Sequence, residues 1–208
     1  MSLKRALKAG AAAALIAVPA LSQTQTPGRE ERVLSFIHQV NLFEIQAAQL
    51  AADNSASSAV KGFAAQMVTD HQAADAQVRA YASAHGINLD QLRSQLDEVN
   101  NERLESERRS RTVGSATGEW AYTWENTLQR QDENEKELAK LRNLRSASFD
   151  REYVSAMIDG HQKAVDRLKD AEARQISPDL TALIDSLLPT VQHHLEMAQT
   201  LQGTLPKA

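Results

Sequence analysis

Four titratable side chains fall on the apolar stripes of four separate predicted helices, where a helical protein normally places leucine or alanine. They are Glu44, His71, His161 and His194. Each follows its apolar neighbours at steps of three or four residues, which is the spacing of one helix face. Because burying a polar group without a partner costs about 1–3 kcal/mol, each must be hydrogen-bonded, bound to a metal or turned toward a wet cavity.

Three imidazoles and one carboxylate suit a single transition metal ion. Imidazole nitrogen is a favoured ligand of zinc, copper and iron. A di-iron carboxylate centre in a helical bundle uses Glu-x-x-His motifs, and the sequence contains none. The alternative is metal-free: each histidine donates a hydrogen bond across the bundle, with Glu44, Asp150 or Tyr153 as acceptors.

The depth of each side chain along its helix follows from its distance to the connecting turn. At a rise of 1.5 Å per residue, His161 and His194 lie at nearly the same depth and could share a ligand. Glu44 and His71 differ in depth by roughly 7–8 Å, and His38 matches His71 better. We therefore expect His161 and His194 to lie close together and Glu44 and His71 to be less closely paired, rather than a single centre that contains all four.

Helices rich in alanine, leucine, glutamine, glutamate and arginine must position these side chains. Gly86 is a typical C-terminal stop, and Ser177 followed by Pro178 is a typical helix start. We predict an all-α fold, an up-down four-helix bundle over residues 30–202. Its core helices are expected at about residues 30–53, 56–86, 149–174 and 178–202.

Two segments, residues 67–72 and 157–162, share methionine, histidine and glutamine at identical spacing. A duplicated helical hairpin would produce this echo, together with an up-down-up-down bundle. The match is short, so duplication is a hypothesis.

The segment between the two predicted hairpins, residues 88–148, is rich in charged residues and poor in apolar ones. Gly114 and Gly118 interrupt it. We predict an inserted charged helical hairpin that packs weakly on the bundle or projects from it. Its charged faces are either solvated surface or a coiled coil that binds a protein partner or a second copy.

The N-terminus has the pattern of a signal peptide. Three basic residues within the first eight precede an apolar run over residues 9–18, about half the length that a membrane-spanning helix requires. We predict a signal peptide over residues 1–22, cleaved near Ala20 to Ser22, and a linker over 23–29. The mature protein is then periplasmic or secreted, without stable membrane insertion.

Composition narrows the function classes. The chain has 208 residues, no cysteine and a net charge of −4, and it becomes more acidic once the basic leader is removed. An acidic surface argues against nucleic acid as a partner. The sequence has no cysteine nucleophile and no Gly-x-Ser-x-Gly motif, so an enzyme is less favoured than a binding protein.

Both predicted hairpins, residues 30–88 and 146–202, carry a set of residues that together form a family pattern. The set comprises Glu44, Ile45, Val60, Lys61, Phe63, Ala64, Met67, Val68, Asp70, His71, Phe149, Asp150, Tyr153, His161, Pro189, His194 and Leu195. In these residues the chain resembles the bacterial family labelled domain of unknown function 4142. The resemblance implies an exported protein with a ferritin-like four-helix bundle. The family has no agreed activity, so the resemblance implies none for this chain.

The leading hypothesis is a non-catalytic, exported bundle protein whose polar core binds one transition metal ion, such as zinc, copper or iron. The predicted ligands are Glu44, His71, His161 and His194. A role in envelope stress tolerance is implied by the family resemblance alone. The alternatives are a metal-free structural or interaction protein that uses its charged segment, and a metal-dependent redox enzyme.

Overall fold

The computed structural model describes residues 27–96, 98, 126–174 and 176–206, without the side chains of residues 126–132. No strand occurs in these ranges, which confirms the all-α prediction. The predicted signal peptide, most of the linker and the glycine interruption at residues 114–118 lie outside the described residues. No helix within the described ranges has the length and apolarity that a membrane crossing needs.

Four long helices form the core and a shorter one packs against them. Residues 89–96 are also helical. The helices are α1 (Arg29–Asn54), α2 (Ser58–Ala84), α3 (Asn126–Asn143), α4 (Ser146–Ala173) and α5 (Pro178–Thr204).

Local capping chemistry explains where the helices begin and end. The Ser57 hydroxyl accepts a hydrogen bond from the Val60 amide at the start of α2, and Ser177 caps α5 in the same way. Pro178 occupies the first turn of α5, where a missing N–H costs nothing. After α2, Gly86 adopts a positive φ of 67°, a left-handed conformation that favours glycine and turns the chain away.

Two apolar clusters, one at each end of the bundle, reveal the helix directions. The first cluster includes Ala51 late in α1, Phe63 early in α2 and Phe149 early in α4, along with the last turns of α5. The second cluster includes residues from the opposite end of each helix, such as Leu34 in α1 and Ile184 in α5. Helices α1 and α5 therefore run one way, and α2 and α4 run the other way.

The order of directions is up-down-down-up, and the predicted up-down-up-down order was wrong. Helix α1 packs against α2 and α4, and α5 also packs against α2 and α4, so neighbours are antiparallel. The two echo segments lie on the parallel helices α2 and α4, which are the second helix of one hairpin and the first helix of the other. A duplicated hairpin does not explain the echo.

The charged segment is a crossover connection between opposite ends of the bundle. Helix α2 ends in the second cluster and α4 begins in the first, so the chain must travel about 40 Å, the length of a 28-residue helix. In α3, the helix that precedes α4, Leu138 and Leu141 are buried in the first cluster. The Asn54 side-chain amide donates to the Leu141 carbonyl at 3.0 Å. The expectation of weak packing was wrong for this part of α3.

Candidate metal centre

The three core histidines meet in a polar layer between the two apolar clusters. His71 comes from α2, His161 from α4 and His194 from α5, and at most 3 % of each residue is exposed. One ring nitrogen from each lies within 4.8 Å of the other two. The ring centroids are 5.2–5.5 Å apart. Depth alone predicted two separate pairs, and this grouping was wrong because all three rings share one layer.

Each of these imidazoles uses one nitrogen to donate a hydrogen bond. The three bonds are His71 Nδ1 to Asn41 Oδ1 at 2.9 Å, His161 Nδ1 to the Met157 carbonyl at 2.8 Å, and His194 Nε2 to Asp70 Oδ2 at 2.9 Å. Amide, carbonyl and carboxylate oxygens accept and do not donate. These bonds fix the tautomer of each ring, so the second nitrogen of each carries an unprotonated lone pair.

The second nitrogens have no hydrogen-bond partner among the described residues. They are His71 Nε2, His161 Nε2 and His194 Nδ1, and all three atoms are buried. Three clustered acceptors without a donor are costly in an apolar interior. A cation would satisfy all three at once. Metal-bound histidines usually have this arrangement, in which the other ring nitrogen donates to a carboxylate or a carbonyl oxygen.

Burial keeps these imidazoles neutral. Desolvation, with the neighbouring histidines, holds the pKa of His71 well below its usual value and lowers the pKa of His161 to about 4. Burial also lowers the pKa of His194, although Asp70 opposes the shift. At neutral pH all three rings are therefore in the unprotonated form that a metal ion requires.

Asp70 supports His194 across the interface between α2 and α5. Burial alone would raise the pKa of the Asp70 carboxyl, but hydrogen bonds with Gln66 and His194 outweigh burial and lower it. Asp70 is therefore ionised at neutral pH. The carboxylate, the imidazole and the buried lone pair form a chain of the kind that orients metal-binding histidines.

Glu44 lies in the same layer but on another side of His161. Its Oε1 atom is 3.8 Å from His161 Nδ1, the nitrogen that already donates to a carbonyl. The group of three histidines whose ring nitrogens lie within 4.8 Å of one another does not include Glu44. A Cβ atom on Gly160 would come within 3.1 Å of Glu44 Oε1, so this glycine leaves room for the carboxylate.

His38, which depth predicted to lie level with His71, belongs to a different group. Its Nδ1 atom is 2.5 Å from Asp75 Oδ1, and the other Asp75 oxygen accepts from Arg79 at 2.7 Å. Burial raises the pKa of the Asp75 carboxyl, but the bonds with His38 and Arg79 outweigh burial and lower it. This histidine is held by an ion-paired carboxylate one turn away from the centre.

Sequence reasoning missed two supporting residues. Asn41 was detectable, because it lies on the apolar stripe of α1 between Ile37 and Glu44, one more polar residue where an apolar one is expected. Asp70 was named only as a member of the family pattern. Its partner is on another helix, so no spacing within α2 could reveal the contact.

A cavity of about 120 Å³ reaches the centre from the surface. All four core helices line it, and its inner end is formed by the three histidines together with Asn41, Glu44 and Asp70. At its outer end the exposed residues Gln77 of α2 and Ser186 of α5 are joined by a hydrogen bond of 3.1 Å. The cavity therefore extends from solvent to the side chains of the three histidines.

The fold occurs in another protein. A crystal structure of a DUF305 fragment from Deinococcus radiodurans superposes with a TM-score of 0.60 at 16 % sequence identity, covering 87 % of this chain and 100 % of that fragment. At this identity the likeness concerns the fold alone. A search among proteins of curated function gave no match. The sequence profile of the family described as domain of unknown function (DUF4142) matches residues 16–201, and the chain therefore belongs to this family.

Proposed function

We propose that the protein binds one transition metal ion through His71, His161 and His194. Two observations carry this proposal: one ring nitrogen from each histidine lies within 4.8 Å of the other two, and each ring has one buried nitrogen without a hydrogen-bond partner among the described residues. The opposite nitrogen of every ring is already held by a hydrogen bond. A metal-free bundle gains nothing from burying three lone pairs without donors.

The spacing of the nitrogens suits a small ion after slight closure. Zinc–nitrogen bonds of 2.0–2.1 Å in a tetrahedral site place the nitrogens about 3.4 Å apart. The nitrogens, which lie within 4.8 Å of one another, would have to approach by up to about 1.4 Å to reach this separation. Imidazole-only sites suit zinc, copper and iron. Glu44 would need a side-chain rotation to become a further ligand, because its Oε1 atom lies 3.8 Å from His161 Nδ1.

The same proposal places the centre in an exported, ferritin-like bundle of the bacterial envelope. Ferritin-like bundles have one long crossover between two helical hairpins, and here α2 ends at the opposite end of the bundle from the start of α4, which supports this part of the proposal. The basic and apolar pattern of residues 1–22 supports export. A role in envelope stress tolerance rests on the family resemblance. Without Glu-x-x-His motifs, a single ion fits this chain better than a di-iron centre.

Measurement of bound metal tests the proposal. The full chain is expressed with its own leader and without a His tag, purified from the periplasm and analysed by elemental mass spectrometry. We expect about one metal ion per chain, and loss of metal in His161→Ala and in His194→Ala. His193→Ala is the matched control, since His193 is exposed and adjacent to His194, and it should keep its metal.

The proposal fails if the wild-type protein contains no stoichiometric metal and if no added zinc, copper or iron ion raises its melting temperature. The histidines would then serve only to fix the register of the helices. A protein recovered from the cytoplasm with an intact leader would contradict the export part of the proposal independently of the metal.

A further inference from the structure

We propose that the cavity above the histidines receives a small, uncharged and largely apolar molecule, which binds the metal ion through a single donor atom. The inference rests on the proposed metal site and adds the class of its second ligand. The cavity of about 120 Å³ is close in size to an engineered apolar cavity of 150 Å³ that accepts benzene. An occupant of about six non-hydrogen atoms fits.

The floor of the cavity supplies the open coordination position. Three histidines occupy three positions of a tetrahedral ion, which leaves the fourth for a water molecule or another ligand, as in zinc sites that bind substrates. All three histidine side chains line the cavity, and neighbouring atoms cover their unpartnered nitrogens. A molecule that enters from the surface between α2 and α5 therefore meets the metal at the end of its path.

The walls of the cavity select against charge. They are formed mainly by apolar side chains, which include Phe36, Ile37, Val40, Ala74, Leu187 and Val191. No lysine or arginine is among the described residues that line it. An anion would enter without a counter-charge, and burying an unpaired charge is costly.

A negative charge already lies beside the histidines. The ionised Asp70 carboxylate is bonded to His194. It offsets part of the charge of a divalent ion, so the attraction for an anion is weakened. A cationic ligand would be repelled by the metal itself. An uncharged molecule with an apolar body fits the apolar walls, needs no counter-charge and is not repelled by the metal ion.

Cobalt(II) offers a direct test, because its visible spectrum changes when the fourth ligand changes. The cobalt-loaded full chain is titrated at pH 8 with 1-methylimidazole, which is uncharged there and has six non-hydrogen atoms. Parallel titrations use azide and acetate as small anions. We expect a saturable spectral change with 1-methylimidazole and at least tenfold weaker responses to both anions.

Variants that fill the cavity locate the ligand. Ala74→Leu and Val191→Phe each place a larger side chain in the wall, and each should weaken 1-methylimidazole binding at least tenfold while cobalt content stays at one per chain. Ala80→Leu is the control, since Ala80 is an exposed position of the same helix α2 and does not line the cavity. It should bind the probe as the wild type does.

Each contrary result has its own meaning. If cobalt binds but azide or acetate binds as well as 1-methylimidazole, or if no probe changes the spectrum, the second-ligand inference is overturned and the metal site stands. If Ala74→Leu and Val191→Phe both bind the probe normally, the ligand does not use the cavity. If cobalt itself does not bind to the three histidines, the proposed function fails, and this inference fails with it.

Discussion

Helices α2 and α4 carry the same methionine and histidine spacing, yet the residue before the histidine differs between them. In α2 it is Asp70, whose carboxylate accepts from His194 on α5. In α4 it is Gly160, whose missing side chain leaves space for Glu44 of α1. The two helices are parallel and diagonal in the bundle, so equal spacing places both imidazoles in one layer. The residue before each histidine therefore meets a different neighbouring helix: Asp70 bonds to α5, and Gly160 leaves room for a side chain of α1.

The histidines of the two matching segments, His71 and His161, also differ in their hydrogen-bond acceptors. His161 donates to the carbonyl of Met157, four residues earlier in its own helix. His71 donates to Asn41, on another helix. The orientation of His161 is therefore built into α4, whereas the orientation of His71 depends on the packing of α1 against α2. This asymmetry predicts different sensitivities to mutation.

Lowering the pH should produce the largest change in the free energy of unfolding, because it acts on His71 and His161 together. In the folded metal-free protein the pKa of His161 is about 4 and that of His71 is well below its usual value of 6.5. Between pH 6.5 and 4 the unfolded chain binds more protons, so the free energy of unfolding falls as the pH falls. His161 alone accounts for about 3 kcal/mol over this range.

Urea unfolding of the metal-free protein at pH 7, 6 and 5 measures this effect. His161→Gln should flatten the pH dependence, whereas His193→Ala should leave it unchanged because His193 is exposed. Equal unfolding free energies at pH 7 and pH 5 would contradict the burial of neutral imidazoles in the core.

Neutralising Asp70 of α2 should weaken metal binding more than neutralising Asp159 of α4. Asp70→Asn keeps the shape but loses the carboxylate that orients His194, and loss of such a partner typically lowers metal affinity 10–100-fold. Asp159→Asn changes an exposed carboxylate of the α4 echo segment and should have no effect. Competition titrations with a chelator of known affinity compare the two variants, and similar affinities would refute the role of Asp70.

Loss of the Asn41 acceptor should lower metal affinity by about tenfold, at the weaker end of the range for such partners. In Asn41→Leu nothing holds the proton on His71 Nδ1, so the proton can move to the nitrogen that the metal needs. Gln46→Leu is the control, an equally apolar change at an exposed position of α1. If both variants bind metal as the wild type does, the tautomer of His71 is not set by Asn41.

Two glycine substitutions provide the smallest and most local contrast. Gly62 of α2 has open space around it, so Gly62→Ala should stabilise the protein by about 0.5–1 kcal/mol through helix propensity. In Gly160→Ala the new Cβ meets Glu44 Oε1 at 3.1 Å, and this crowding in the buried core should cancel or reverse the gain. Thermal unfolding of both variants tests the difference, and an equal gain would show that Glu44 does not need Gly160.

Much of the candidate site was accessible from spacing alone. A polar residue at an apolar stripe position is visible within a single helix, so His71, His161 and His194 were identified without any knowledge of their neighbours. The depth argument was sound for His161 and His194, which turn out to share a layer. It failed for His71 because Asn41, not Glu44, lies at its level on α1, and because the longer Glu44 side chain reaches His161 from one turn away.

The amino-acid sequence by itself determined the helices, their caps, their buried faces and the family, because all of these depend on residues within a few positions of one another or on local motifs. Only the tertiary structure decided that α4 runs parallel to α2, that the charged segment crosses the bundle, and that Asp70 serves His194. The physical reason is that helix direction and inter-helical register are settled by which apolar ends pack together, over separations of up to 147 residues between contacting partners. Helical periodicity carries no information about such distances.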